Sequence, residues 1–218
     1  MPVEDDERAL LGYPLLLALL VLAIGLTLAL SARAAGIVLV VAVQAVVVGV
    51  ALHITRASRR LQLGAGIAMT MVVVALAVIT SPLTPASPEL SLRLSRTVGL
   101  GLAVAMPVRI ARHVVTSRRI TLDTVAAGLC VYLLVGLAFG YAHLLVDASV
   151  ASAYSTQLTD QDAMYLSFVT LTTVGFGDVV PSSGPARAVT IIESVLGQLY
   201  LVSVIAVLVG NLGRGRAR

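Results

Sequence analysis

Thr172-Thr173-Val174-Gly175-Phe176-Gly177-Asp178 is the stretch on which the reading of this chain turns. As a bare string it reads as a turn, because Gly and Asp are common turn residues. What precedes it argues otherwise. The apolar run Ala163–Leu171 follows Asp160 and Asp162, acids that favour a helix start by capping and by their charge near the positive end of the dipole. A helix from there to about Thr172 is too short to cross a bilayer, so it must enter and leave by one face. Its negative end would point toward the middle of the membrane, where a cation would be stabilised. Thr173–Gly177 would follow in extended form. Gly175 and Gly177 reach backbone angles closed to other residues and can turn successive carbonyls to one side, where a strand alternates them.

The rest of the chain supplies the membrane. Of 218 residues, 58% are hydrophobic and only 12% charged, too little charge to cover a soluble surface. A water-soluble enzyme, a disordered chain and a disulfide-rich secreted module are excluded, and the lone Cys130 allows no intrachain disulfide. A formal charge of +4 suggests nucleic-acid affinity until the basic residues are placed. All fifteen are arginines, mostly between apolar segments, which is a topology pattern, and no nucleic-acid partner is expected.

Six spans of ~20 residues fit, with short loops between them. They are Leu11–Leu30, Ala35–Ile54, Leu61–Thr80, a short fourth over Thr97–Val108, Leu122–Val146 and Ala186–Leu212. The fourth contains Pro107 and is extended at both ends by snorkelling of Arg96 and Arg109. The basic loops Arg56, Arg59, Arg60 and Arg109, Arg112, Arg118, Arg119 share the cytoplasmic side if two crossings separate them. The tail Arg214, Arg216, Arg218 belongs there too, and the acidic opening Glu4–Glu7 contributes little to orientation. The expectation is an all-α, multi-pass protein of the cell membrane with six transmembrane helices, a re-entrant helix and both termini cytoplasmic. Residues 81–88, with three prolines, form a loop.

Non-helical backbone at membrane depth is tolerated only where it is buried in protein or lines a water-filled path. Carbonyl rings around an axis make a dehydrated-cation site, in which oxygens replace the hydration shell. One such segment per chain requires several chains, and four is the number implied by known carbonyl filters. Thr172–Asp178 resembles the potassium-channel signature, with Phe176 where many members have Tyr. The resemblance covers about Leu122–Arg218, the two-helix pore unit. It implies a homotetramer in which the carbonyls of Thr173, Val174, Gly175 and Phe176, and the Thr173 hydroxyl, bind K⁺, with Gly177 completing the filter.

No cofactor is expected beyond K⁺ as permeant ion. Thr172, Asp178, Tyr165 and Glu193 are expected to support the filter. Some relatives carry a glutamate in the pore helix that pairs with the aspartate after the filter. Val169 stands there in this chain, leaving Tyr165 as a substitute donor for Asp178. Arg187 matches an arginine common at the start of the inner helix, and Gly197 an inner-helix glycine treated as a gating hinge; close packing is the equal alternative for Gly197.

The expected organisation is a cytoplasmic N-terminus at 1–10 and a four-helix, voltage-sensor-like unit at 11–115. A pore unit at 120–212 and a basic cytoplasmic tail at 213–218 complete it. Only six residues follow Leu212, so no cytosolic gating domain is expected in this chain.

Arg93, Arg96, Arg109 and Arg112 invite a voltage-sensor reading. The thirteen steps from Arg96 to Arg109 leave a net turn of about 220° at about 100° per residue, so the two pairs do not share a face. The first three spans also hold no acid to pair with moving arginines. End-anchoring is favoured, and the arginines at 56, 59, 60, 118 and 119 are expected to meet anionic lipid headgroups.

Glu193 is the only carboxylate well inside a span, about two helical turns from its start. Bracing the pore helix through Thr170 or Thr172 is favoured for it over proton sensing. His53, His113 and His143 show no metal-ligand spacing and are read as surface or interfacial. Gln44 is read as an interhelical hydrogen-bonder and Asp147 as a loop residue. A voltage-gated channel of the same fold and a weakly selective cation channel are the competing functions. A secondary transporter would want paired repeats and broken helices in both halves, which are not seen.

Overall fold

The computed structural model describes residues 12–30, scattered positions between 42 and 110, and residues 121–215. In chain order the continuous elements are α1 (Gly12–Leu30), α2 (Leu122–Ser149), α3 (Asp160–Leu171), α4 (Gly184–Leu199), a π-helical stretch (Tyr200–Ile205) and α5 (Ala206–Gly215). Among the described residues there is no strand, only an isolated antiparallel bridge between Tyr154 and Pro181. The described positions within 42–54 and 97–110, Pro107 included, are all helical. The expected third span, the proline loop, Gln44, His53, His113 and the arginines from 33 to 119 lie outside the described residues, as does the end of the basic tail.

The helix starts follow from local chemistry. Thr159 caps α3: its hydroxyl oxygen accepts from the Asp162 amide at 3.1 Å, and the Asp162 carboxylate accepts from the Thr159 amide at 3.0 Å. This reciprocal pair satisfies two amides that the first turn leaves without partners. α4 begins at Ser183, whose hydroxyl accepts from Ala186 N at 3.3 Å, with Pro185 placed where a missing N–H costs nothing. It therefore starts two residues before the expected Ala186, while α2 continues to Ser149 rather than Val146.

Cross-helix contacts set the directions. α2 and α3 are antiparallel, because Gly136 meets Phe168 while Gly140 meets Met164. α3 and α4 are parallel, because Ser167 meets Glu193 while Leu171 meets Gly197. α3 thus runs back beside α2 and stops at Leu171, opposite Tyr132 and Gly136, about midway along the 28 residues of α2. That is the re-entrant arrangement expected from the apolar run. α1 packs on the outer side of α2, where Leu16 and Leu20 join Ala127, Cys130 and Leu134 in the core. The Gln161 amide donates to Leu28 O at 2.6 Å, tying the end of α1 to the start of α3.

Leu122–Ser149 and Gly184–Gly210 are each long and apolar enough to cross a membrane. They differ in surroundings. In the most apolar eighteen residues, 56% of α2 is buried within the chain but only 17% of the α4–α5 rod.

Candidate functional site

The end of α3 is wound so that its last carbonyls are all engaged. Phe168 O accepts from Thr172 N at 3.0 Å, Thr170 O from Thr173 N at 3.0 Å, and Val169 O from both Val174 N (2.9 Å) and Gly175 N (3.1 Å). Leu171 O accepts from the Tyr132 hydroxyl at 2.9 Å. The amides of residues 172–175 therefore point back at the helix. Positive φ then recurs at every second residue: Thr173 (61°), Gly175 (53°) and Gly177 (78°). Positive φ at alternate residues departs from a regular strand, in which successive carbonyls point to opposite sides.

Glycine suits two of these positions because of φ alone, since a Cβ on Gly175 or Gly177 would meet nothing within 4 Å in the chain. Thr173 is different. A β-branched residue in the left-handed region is a steric outlier of the kind that clusters at functional sites.

Residues 172–178 are exposed, Val174 at 54% and Phe176 at 69%. Phe176 stacks on Tyr165 with ring centroids 6.2 Å apart and 7° between the planes. The Tyr165 phenol faces the Asp178 carboxylate. After Asp178 the chain is stitched to the loop before α3. Ser155 N donates to Val180 O at 2.9 Å, Val180 N to the Ser155 hydroxyl at 3.0 Å, and Ser182 N to Ala153 O at 2.8 Å. Asp147 caps this loop by accepting from Leu158 N at 3.0 Å. Arg187 Nε donates to Pro181 O at 3.3 Å.

Glu193 is fully buried, and its partners correct the sequence reading. It engages the Ser167 hydroxyl rather than Thr170 or Thr172. Its other oxygen lies 2.8 Å from Nε2 of His143, and Nδ1 of that ring lies 2.7 Å from the Tyr154 hydroxyl. His143 is thus not a surface or interfacial residue: it is fully buried between helices. Burial, more than any neighbouring charge, pushes the Tyr154 phenol above its usual range. Ser167 also lies 2.6 Å from Gly136 O.

Two signals could have revealed this cluster. Gly136, Gly140 and His143 fall on one face of α2 by helical spacing, and small residues four apart let a helix approach closely. A Cβ at Gly136 would come within 2.7 Å of the Phe168 ring, and one at Gly140 within 2.5 Å of Met164 Sδ.

Gly197 is a close-approach position, where a Cβ would lie 2.9 Å from Leu171 O. The helical irregularity falls three residues later, at Tyr200–Ile205. There the Ser203 hydroxyl bonds back to Leu199 O, a contact that competes with regular helix. The Tyr200 hydroxyl donates to Gly128 O at 2.7 Å, and its ring stacks on Tyr132 at 6.0 Å. Tyr132 thus joins the inner rod to the end of α3. Tyr132→Phe leaves Leu171 O without its side-chain donor and should cost about 1–3 kcal/mol, read as a lowered unfolding temperature in detergent.

Residues 124–213 match a family model described as an ion channel, which bears out the family resemblance carried by Thr172–Asp178. No curated protein and no solved structure matches the chain. Residues 124–213 are thus similar to an ion-channel domain, and among the described residues two helices are long and apolar enough to cross a membrane.

Proposed function

From an ion-channel domain at residues 124–213, we propose that this protein is a potassium-selective channel that conducts K⁺ passively across the cell membrane as a homotetramer. The observation that carries the proposal is the recurrence of positive φ at Thr173, Gly175 and Gly177, with the amides of residues 172–175 bound back to α3. Such backbone offers a row of carbonyls on its free side, and carbonyls are what a cation accepts in exchange for water. Thr173, Val174, Gly175 and Phe176 are the proposed K⁺ ligands. Gly177 closes the row, and Thr172, Tyr165, Asp178 and Glu193 hold it in place.

The oligomer is supported by what the single chain leaves uncovered. Ile191, Ile192, Val195, Leu199 and Val202 on the inner rod are 52–63% exposed, as is the apolar filter residue Val174 at 54%. Lipid covers one side of such a rod, while a filter segment at mid-helix height needs protein around it. Four copies about an axis would cover these surfaces and bring four carbonyl rows together. The full subunit has six spans in this reading, four peripheral helices (11–115) and a pore unit (120–212), with both termini cytoplasmic and arginines at anionic lipid. No cofactor and no nucleic acid take part.

The test is flux of the purified protein in liposomes, read under K⁺ and then Na⁺ gradients, together with native mass spectrometry. K⁺ flux far above Na⁺ flux, from particles of four chains, is expected. A reversal potential indifferent to the exchange of the two ions, or full activity from a monomer, overturns the proposal.

A further inference from the structure

Four contacts run in series behind the filter. Gly136 O meets the Ser167 hydroxyl, that hydroxyl meets Glu193, Glu193 meets His143, and His143 meets the Tyr154 hydroxyl. They join α2, α3, α4 and the loop before α3, and their members are buried. Whether each contact is a bond or a repulsion depends on how many protons the series holds.

The count starts at the end that cannot vary. Gly136 O only accepts, so the proton in its 2.6 Å contact must be that of Ser167. A hydroxyl carries one proton, and once it is given to Gly136 O the Ser167 oxygen can only accept. The proton between Ser167 and Glu193 must then belong to Glu193. The far oxygen of Glu193 accepts from His143 Nε2–H, which leaves Nδ1 as an acceptor for the Tyr154 hydroxyl. Every contact is filled when Glu193 is a neutral acid and His143 a neutral ring.

The ionised alternative fails the same count. With Glu193 a carboxylate, one Ser167 proton must serve two acceptors. Shared between them, it leaves each with half a bond; otherwise one pair of oxygens faces lone pair to lone pair. A charged Glu193–His143 pair would also bury two ions, at a desolvation cost the neutral series avoids. The titratable groups facing Glu193 are His143 and Tyr132 of α2 and Tyr154 of the loop; α3 offers Ser167. Among the described residues no arginine joins them, so no fixed cation is at hand to hold a carboxylate.

We propose that Glu193 carries a proton at neutral pH, and that Tyr154, His143, Glu193 and Ser167 donate in one direction to Gly136 O. Glu193 is then a positioning residue. It fixes α3 against α2 and α4 through Ser167, one turn before the backbone at Thr172–Asp178. The flux arm of the test rests on the channel reading above; the spectroscopic arm does not.

Infrared spectra of the full-length protein at neutral pH read the proton directly. The chain has 11 Asp and Glu residues, and those in water are ionised there, so an acid C=O band stands out. Such a band, shifted in D2O and absent from Glu193→Gln, is expected. A band that is missing, or that survives in Glu193→Gln, overturns the proposal whatever the protein transports. Gln supplies an N–H to Ser167 and an oxygen to His143, so Glu193→Gln should keep K⁺ flux within about twofold of the unmodified protein. Glu193→Ala leaves Ser167 and His143 without a partner and should lower flux at least about tenfold. Equal damage from both substitutions, including equal failure to fold, also overturns it.

Discussion

Gly175→Ala should abolish potassium flux while leaving the folded protein intact. Gly175 sits at φ 53°, where an L-residue with a Cβ costs about 1–2 kcal/mol. Four subunits would share about 4–8 kcal/mol of that strain, and the chain can relieve it only by flipping Gly175 out of the left-handed region. A flip rotates the peptide planes on either side and breaks the proposed row of carbonyls. Sterics are not the cause, because the added Cβ meets nothing within 4 Å in the chain. The unfolding temperature should therefore change little, while K⁺ flux in liposomes falls at least about a hundredfold, equivalent to about 2.7 kcal/mol. Flux unchanged by the substitution would mean that ions take another route.

The same backbone marks what was and was not legible in the sequence. Gly175 and Gly177 announced unusual dihedrals because glycine is the residue that adopts them freely. Thr173 did not, since β-branched residues avoid positive φ; its 61° accompanies the fold-back of the next two amides, Val174 N and Gly175 N, onto Val169 O. The short apolar run after two acids predicted a helix of the right length, ending at Leu171 rather than about Thr172. Local pattern suffices for such a feature because caps and turns are made within a few residues.

Glu193 was legible as a buried acid in need of a partner, but not which partner. Ser167 and Thr170 differ by three positions on α3 and sit only about 60° apart on one face, so only the packing of α4 decides which of the two is met. That packing is set by Gly197 beside Leu171 and Glu193 beside Ser167, a matched four-residue spacing on two parallel helices. His143 was harder still. It lies fifty positions from Glu193 in sequence, so no local pattern links the two. The pair exists because Gly136 and Gly140 bring α3 close and α2 runs the length of the inner rod.

Around α3 these contacts converge from several directions. Ser167 is held by Glu193 and Gly136, Leu171 by Tyr132, and the chain past Asp178 by the loop that carries Tyr154. A strained backbone persists only where its surroundings over-determine it, and Thr173 is such a place. The stacked Tyr132 and Tyr200 also link the π-helical stretch to Leu171 O, at the end of α3.

Gly197→Ala separates the two roles open to that glycine. A hinge works through backbone freedom, so Ala would stiffen the rod, change how often the pore opens, and leave stability nearly untouched. A packing position works through absent volume. The added Cβ would lie 2.9 Å from Leu171 O and 2.7 Å from Leu171 Cδ1. The side-chain carbon can move aside, but the carbonyl cannot, because the Tyr132 hydroxyl holds it. Overpacking of this kind costs about 1–3 kcal/mol, and relief requires α3 and α4 to separate. The expected result is a lower unfolding temperature of the assembled protein together with reduced discrimination between K⁺ and Na⁺, since the displaced carbonyl adjoins Thr172 and Thr173. An unchanged unfolding temperature with altered opening would return Gly197 to the hinge role. The regular helix observed from Gly184 to Leu199 argues against that outcome, as the distortion of the rod lies at Tyr200–Ile205, beyond the glycine.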